Sequence, residues 1–187
     1  TKFGKVSVFS DLNNLTDISM DHRYISICGM TEKELLTNFK EGISELASAN
    51  EDNETETIDK LRMRYSGYHF EENSEEIYNP FSVLNTLANS RYDDYWFKAN
   101  THTFLIDILR KHDYCITNLS KAQIKANMMN NVDSNPIPVI YQSGYLTIKS
   151  YDERFKNYQL GIPNKEVEEG ILNTLLPHGC KTAEMDC

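Results

Sequence analysis

Cysteine and histidine are the side chains of this sequence best suited to metal or nucleophilic chemistry, and their spacing builds no site. The four cysteines are scattered along the chain, at Cys28, Cys115, Cys180 and Cys187. None belongs to a C-x-x-C pair, and none has a histidine at the spacing of a zinc ligand. Scattered thiols without a disulfide framework are typical of reduced cysteines in the cytoplasm. We therefore expect no metal site and a cytoplasmic location.

The sequence also lacks the motifs that hold nucleotides or carry out common catalysis. It contains no G-x-x-x-x-G-K-[ST] loop to wrap phosphates and no G-x-G-x-x-G after a strand. It contains neither H-E-x-x-H nor G-x-S-x-G. A chain of 187 residues without such a constellation favours a binding, regulatory or structural part over an enzyme that works alone.

The elements that would position any site begin with a helix at Thr31. Thr31 and Glu34 form a capping box, T-x-x-E. Apolar residues then recur at helical spacing, at Leu35, Phe39, Ile43 and Leu46. A second helix over about residues 57–65 ends before Gly67, and its apolar face holds Ile58, Leu61 and Tyr65. Two short extended arms are expected to follow, at residues 68–70 and 77–78.

From Pro80 onward the pattern is again mainly helical. Pro80 suits the first position of a helix, whose apolar face is predicted to hold Phe81, Leu84, Leu87 and Ala88. Another helix is predicted over residues 101–112, with its inward side chains at Phe104, Leu105, Ile108 and Leu109. Ser120 is expected to cap a short helix after it.

The last part of the chain predicts a helix, a β-hairpin and a final helix. The first of these begins near Pro138, and Gly144 turns the chain into a strand over residues 145–149. A second strand over residues 158–162 alternates its apolar side chains on one face, at Tyr158, Leu160 and Ile162. Asn164 is expected to cap the last helix, whose apolar side chains are Val167, Ile171, Leu172 and Leu175.

These elements predict an α+β fold that is mostly helical and contains a small β-hairpin. Helices followed by a hairpin are the layout of a winged-helix-like domain. The short apolar run from Val6 to Phe9 cannot bury a face alone, so residues 1–30 are expected to be the edge of a larger body. An open strand edge recruits partners, which makes self-association a further expectation. Residues 177–187 are expected to be a frayed tail.

The charge of the chain is local. The net charge is -9. Residues 41–76 hold eleven acidic side chains against Lys60, Arg62 and Arg64. This stretch favours a solvated helix face with an acidic loop, and the alternative is a docking site for a basic partner. No apolar run approaches the roughly 18 residues of a membrane span.

Nucleic-acid binding is disfavoured by the charges of the predicted hairpin and of the helix before it. The cations available to phosphates are Lys149, Arg154 and Lys156, but Asp152 and Glu153 lie among them. Residues 137–145, which would enter the major groove, contain no lysine or arginine. Residues 77–176 carry ten acidic and ten basic side chains, whereas a DNA reader usually has a basic face.

Several segments together resemble a known family. These segments are TKFGKVSVFSDLNNLTDISMD, ICGMTEKEL, RYSGYHF, IYNPFSVLNTLAN, YWFKANTHTFLIDILRK, PIPVIYQSGYLTIKSYD and LGIPNKEVEEGILNTLLP. Their combination is similar to the AAA-ATPase-like proteins of anaerobic bacteria, in which a PD-(D/E)XK nuclease-like domain often follows the ATPase. The resemblance covers about residues 1–177. The last stretch, GCKTAEMDC, departs from the family.

The resemblance implies four regions. They are the end of an ATPase core with its sensor strand (1–30), a helical lid (31–76), a winged-helix-like domain (77–176) and a tail (177–187). In that family the P-loop and the magnesium site lie before residue 1, so ATP and Mg²⁺ are expected in the parent protein rather than here. The preceding core is then the missing partner, and a nuclease-like domain is a possible neighbour downstream.

The resemblance also implies three residues that touch nucleotide in the intact protein. Thr1 and Lys2 follow the sensor strand, where a hydroxyl or ammonium group can reach a phosphate oxygen. The alternative for both is a disordered terminus. His69 lies between the lid and the next domain, where related ATPases place a polar side chain that senses phosphate. Its alternative is a structural histidine that bonds backbone at a domain junction.

The residue patterns and the resemblance together predict a regulatory function. The lid and winged-helix segment closes over ATP held by the core and passes that state onward, without catalysis by this segment alone. The two alternatives are a winged-helix module that binds nucleic acid and a scaffold for protein interactions.

Overall fold

The computed structural model describes residues 22–24, 26–27, 29–72, 74–99, 103–112, 114, 116–126 and 135–175. Its helices are α1 (Glu32–Asn38), α2 (Lys40–Ala49), α3 (Glu54–Tyr65), α4 (Pro80–Asn89), α5 (Tyr95–Ala99), α6 (Thr103–Lys111), α7 (Ile137–Gln142) and α8 (Lys165–Leu175). Its strands are β1 (Met30–Thr31), β2 (Ile77–Tyr78), β3 (Gln123–Lys125), β4 (Thr147–Asp152) and β5 (Asn157–Gly161). The 3-10 helices are His22–Tyr24 and Ile116–Lys121. The fold is α+β and mostly helical, which confirms the predicted class.

Capping boxes start two of the first three helices. The Thr31 hydroxyl accepts the Glu34 N–H at 3.2 Å, and the Glu34 carboxylate accepts the Thr31 N–H at 2.9 Å, as predicted. Asn53 and Glu56 form a second box that the sequence analysis missed, so α3 begins at Glu54 rather than near residue 57. The long helix predicted from Thr31 is interrupted at Phe39, whose φ of -123° is not helical.

A small antiparallel sheet closes the first part of the chain. Met30 pairs with Tyr78 and Thr31 with Ile77. Tyr68 forms a further antiparallel bridge with Ile77. The second extended arm predicted after α3 is therefore present as β2, and it pairs with the residues that lead into α1. The first arm, predicted over residues 68–70, is reduced to a single bridge at Tyr68.

Two apolar clusters form the core, and the first is built by α1 to α4. Its buried members are Met30, Leu35, Ile43, Leu46, Leu61, Tyr65, Tyr78, Val83 and Leu87. Because Val83 and Leu87 belong to α4, this helix packs with the helices expected to form the lid. The boundary expected at residue 77 therefore runs through a continuous packed cluster.

The buried side of helix α4 is not the side that the sequence predicted. Val83 and Leu87 are buried, but so are Ser82 and Thr86, while Phe81 and Leu84 are 48% and 44% exposed. Ala88, also expected inward, is exposed. Apolar residues occur on both sides of this helix, so periodicity alone could not select the inner side.

The second cluster contains α5 to α8 and a three-stranded sheet. Its buried side chains include Phe97, Leu105, Ile106, Leu109, Ile124, Ile140, Leu146, Ile148, Leu160, Val167 and Ile171. The predicted hairpin is confirmed, since β4 pairs antiparallel with β5 through Ile148 opposite Leu160. Trp96, Phe97 and Tyr145 meet edge to face with ring centroids 5.4–6.2 Å apart.

Two expectations for this second cluster are wrong. The helix expected after Ser120 is instead the end of a 3-10 helix followed by β3, which pairs with β5. Its alternation of exposed Gln123, buried Ile124 and exposed Lys125 is the strand signal that was missed. In α6, Phe104 is 43% exposed and Ile106 is buried, so the inner face is displaced from the predicted one.

Some expectations fall outside the described residues. They concern the strand from Val6 to Phe9, the nucleotide contacts of Thr1 and Lys2, and the tail at residues 177–187.

Gly67 gives a test of this architecture. Its φ is +88°, and a Cβ there would lie 2.1 Å from the carbonyl oxygen of Pro163. We expect Gly67→Ala to lower the free energy of unfolding by about 1–3 kcal/mol, measured by urea denaturation. The control is Gly42→Ala in α2, where the new Cβ would lie 3.4 Å from Leu87 and alanine favours the helix. Equal urea midpoints for the two variants would contradict the assignment of Gly67 as a strained contact.

Candidate functional site

The candidate site is the junction between the two clusters, where α3, α4 and the start of α5 meet β4 and α8. Four groups of polar contacts cross it. They are centred on Arg64, Glu166, Asn164 and His69.

Arg64 lies near the end of α3 and links it to two other segments. Its Nη2 donates to Asp94 at 2.6 Å and to Glu169 of α8 at 3.1 Å. The side chain is only 20% exposed. A guanidinium is always charged and offers donors in a fixed planar arrangement, so this contact fixes direction as well as distance.

Glu166 is a carboxylate without exposed surface in the first turn of α8. The Ser82 hydroxyl of α4 donates to its two oxygens at 2.7 and 3.0 Å. The backbone N–H of Trp96 in α5 donates to it at 2.9 Å. One carboxylate therefore joins α4, α5 and α8.

Burial raises the pKa of Glu166 above its ordinary value. The hydrogen bonds from Ser82 and from the backbone of Trp96 and Phe97 act in the opposite direction but do not cancel the effect of burial. The site is thus balanced between a buried charge and the donors that stabilise it.

Asn164 ties the start of α8 to the end of α3. Its side-chain oxygen accepts the Val167 N–H at 3.2 Å, which confirms the predicted cap. Its side-chain nitrogen donates to the Ser66 carbonyl at 2.9 Å. Ser66 is the residue that ends α3. A displacement of that helix end would therefore act directly on the hydrogen bond to Asn164, at the start of α8.

His69 lies at the junction, bonded mainly to backbone. Its N–H donates to the Thr147 hydroxyl at 2.6 Å, and that hydroxyl donates back to the His69 carbonyl at 3.1 Å. Its Nδ1 is 3.0 Å from the Ser74 carbonyl oxygen and must therefore donate. Its Nε2 is 4.0 Å from a carboxylate oxygen of Glu76. These contacts fit the alternative in which His69 is a structural histidine bonded to backbone at the junction. Its Nε2 remains available for a further partner.

A groove of about 290 Å³ opens beside these contacts, between the end of α3 and β4. Its charged lining residues are Asp59, Arg62, Glu76 and Lys149. The Arg62 guanidinium already donates to Glu32 at 2.8 and 2.9 Å and to Asp59 at 2.7 Å. Burial lowers the pKa of Lys149, and the nearby Glu76 opposes this. Two acids balance two bases, so the groove lacks the excess positive charge that a polyphosphate needs.

Among the residues that the structure describes, no three histidine, cysteine or acidic side chains come together as a metal site. In that part of the chain, no helix combines the length and apolar character needed to cross a membrane.

His69 and the Asn164 cap were predicted from the sequence, whereas the roles of Arg64, Ser82 and Glu166 were not. A usable signal existed for Glu166. Together with Val167, Gly170 and Ile171 it lies on the buried side of α8. Gly170 allows the Phe97 ring to approach so closely that a Cβ would lie 2.3 Å from it. Thr1 and Lys2 lie outside the described residues.

A comparison with curated proteins finds one relative. The chain is 33% identical over 181 residues to a protein of Azotobacter chroococcum mcd 1 named "Uncharacterized protein in vnfD 5'region". The matched region is 94% of this chain but only 33% of that protein, so the chain spans about a third of its relative's length. No family profile matches the chain. No solved structure matches it either.

Arg64 provides a test of the junction. We expect Arg64→Ala to lower the free energy of unfolding by about 2 kcal/mol, because two carboxylates lose a partly buried partner. The control is Lys60→Ala on the same helix, which breaks a more exposed pair with Asp52 and should cost less than about 1 kcal/mol. Urea denaturation measures both, and a cost for Arg64→Ala no larger than that for Lys60→Ala would show that its contacts contribute no stability.

Glu166 should make stability depend on pH. Since its pKa is raised in the folded chain, the folded state holds the proton more tightly than the unfolded one. Its contribution is fully present below pH 4.5, the ordinary value for glutamate, and is lost as pH rises through the folded pKa. The free energy of unfolding of the wild type, relative to Glu166→Gln, should therefore fall as pH rises.

The measurement is urea denaturation of both proteins between about pH 4 and 8. Glu168→Gln, at an exposed position of the same helix, is the matched control. A difference between wild type and Glu166→Gln that stays constant or grows with pH would contradict a buried, destabilised charge.

Proposed function

We propose that this chain is the lid and winged-helix segment of an AAA-like, P-loop ATPase, and that it relays the nucleotide state of the core. The observation that carries this proposal is the junction. Two apolar clusters meet through directed polar contacts at Arg64, Asn164, Glu166 and His69. Such an interface favours discrete rearrangement, because charged and hydrogen-bonded pairs have defined alternative partners.

The position of the contacts along α3 supports a relay. Three of the groups lie at or just after the end of this helix, at Arg64, Ser66 and His69. Their partners include Glu169 in α8, Asn164 just before that helix, and Thr147 in β4. A rotation of α3 by a nucleotide-bound core would therefore displace both elements of the second cluster together.

The second cluster has features that support a winged-helix-like domain. Helix α6, strand β3, helix α7 and the β4–β5 hairpin follow one another along the chain. The sheet order is β3–β5–β4, which places the hairpin at one side of a three-stranded sheet. In winged-helix domains, a hairpin at this position of the sheet is called the wing.

The proposal assigns ATP and Mg²⁺ to the parent protein rather than to this segment. The phosphate-binding loop is absent from the sequence, and the junction groove has balanced charge. Thr1, Lys2 and His69 are the proposed contacts to nucleotide in the intact protein. For His69 the contact would use Nε2 of the imidazolium form, since Nδ1 already donates to the Ser74 carbonyl and only an imidazolium has a second N–H to donate. The matched region is 33% of the relative's length, so the rest of that protein has room for such a core.

Nucleic-acid binding is not favoured by the geometry. Helix α7 would be the recognition helix, but Ile137, Pro138, Val139 and Ile140 are all buried. A recognition helix must present polar side chains to base edges. The proposed role is therefore intramolecular. A cytoplasmic location and a nuclease-like domain downstream belong to the same proposal.

We expect the 187-residue chain alone to show no micromolar affinity for Mg-ATP and no turnover. Tight binding needs backbone N–H groups at a helix N-terminus, a positioned lysine and held Mg²⁺. Calorimetric titration and a phosphate-release assay test this. Micromolar binding or turnover above a buffer blank would mean that the segment holds a complete site.

The longer protein, purified with the residues that precede this segment, should bind and hydrolyse Mg-ATP. His69→Ala should weaken Mg-ATP binding there several-fold, because one charge-assisted contact is lost. His112→Ala, just after α6 and outside the four contact groups of the junction, is the control. A longer protein that neither binds nor hydrolyses Mg-ATP would refute the ATPase assignment and leave an interaction scaffold as the better description.

A further inference from the structure

Lys149 occupies an irregular position in the hairpin. Ile148 pairs with Leu160 and Ser150 pairs with Gln159, so Lys149 is the extra residue of a β-bulge in β4. A bulge re-aims the side chain that it carries, and bulges are frequent beside functional sites. Here the bulged lysine lines the groove at the junction of the two clusters.

The stem of Lys149 lies across Gly161 of the neighbouring strand. A Cβ at Gly161 would lie 3.0 Å from the Lys149 Cγ and 3.3 Å from its Cε. A glycine within a strand often marks a place where another group must approach the backbone closely. The lysine stem is therefore held along the sheet, beside the groove.

The other charged groups of the groove are engaged elsewhere. Asp59 pairs with Arg62 at 2.7 Å. A carboxylate oxygen of Glu76 accepts the Ser66 hydroxyl at 3.3 Å. Among the salt bridges between described residues, none joins Lys149 to a carboxylate. The ammonium form of this lysine therefore lacks a close counter-ion.

The amine of Lys149 is for this reason easier to deprotonate than that of an ordinary lysine. Burial lowers its pKa, and the nearby Glu76 opposes this without cancelling it. A neutral amine has the lone pair that a nucleophile needs, and desolvation is one way in which proteins activate lysine. Because the residue as a whole is still exposed, a reagent in solution can reach it.

We propose that Lys149 is a site of N-acylation by activated acyl groups, either an acyl thioester or an acyl phosphate. The neutral amine attacks the acyl carbonyl and a C–N bond forms. The C–S or C–O bond breaks, and the thiol or phosphate leaves with the proton from the nitrogen. The product is an uncharged amide, so the groove keeps Asp59 and Glu76 against Arg62 alone. The reaction uses no ATP and stands or falls separately from the proposed ATPase role.

The proposal is tested by incubating the 187-residue chain with acetyl-CoA or with acetyl phosphate at about pH 8, and by measuring acetylation of each lysine by mass spectrometry. Lys125 is the internal reference, because it is an exposed lysine of the same sheet. Lys149 should be acetylated several-fold faster than Lys125, and the donor that gives the larger ratio identifies the leaving group. A ratio of one or less with both donors would overturn the proposal.

The pH dependence separates nucleophilicity from mere exposure. The rate of acetylation of Lys149 should reach its plateau at a lower pH than that of Lys125, because its pKa is lowered. Profiles between about pH 7 and 10 measure this. Coincident profiles for the two lysines would overturn the proposal even if their rates differed.

Two variants test whether the groove activates Lys149. Glu76→Gln removes the carboxylate that favours the ammonium form, so acetylation of Lys149 should become faster. Gly161→Ala should displace the lysine stem and bring the rate towards that of Lys125. Glu75→Gln, at the exposed neighbouring position, is the matched control and should leave the ratio unchanged. An unchanged rate in Glu76→Gln would contradict activation by the groove, whether or not Gly161→Ala folds.

Discussion

Glu166 sets the constraint on which the arrangement of the two clusters depends. It places a carboxylate in a fully buried position and surrounds it with the Ser82 hydroxyl and the first backbone N–H groups of α5. An unpaired charge there would be expensive, so α4 and α5 must approach α8 in the one geometry that supplies donors. The contacts of Arg64 and Asn164 then follow from that placement, since Glu169 and Asn164 lie on or beside the same helix.

The elements that the sequence predicted well are those specified by neighbouring residues. The Thr31–Glu34 box, the proline that begins α4, the β4–β5 hairpin and the Asn164 cap all depend on residues a few positions apart. The errors concern orientation. In α4 both sides are apolar, so the choice of the inner side was made by Ser82 meeting Glu166, a residue far along the chain. Strand β3 was missed because its pairing with β5 is likewise distant in sequence.

The candidate site was predictable only in part for the same reason. His69 was placed at the junction from its position between the predicted units, and it lies there. Arg64 looked like one cation in an acidic stretch, and only the fold brings Asp94 and Glu169 to it. The acidic stretch itself is largely a solvated surface, with Glu41, Glu45 and Glu54 exposed. The function expected from the resemblance remains a proposal that the junction supports.

The two clusters have a consequence for how the chain folds. The first gathers buried residues from positions 30 to 87 and the second from positions 97 to 171, so each is assembled from one uninterrupted stretch. Contacts between near neighbours form quickly because little loop entropy is lost in closing them. During synthesis the first stretch leaves the ribosome complete before α8 exists. Glu166 follows Ser82 by 84 residues, so their hydrogen bond can form only after the whole first stretch has been made.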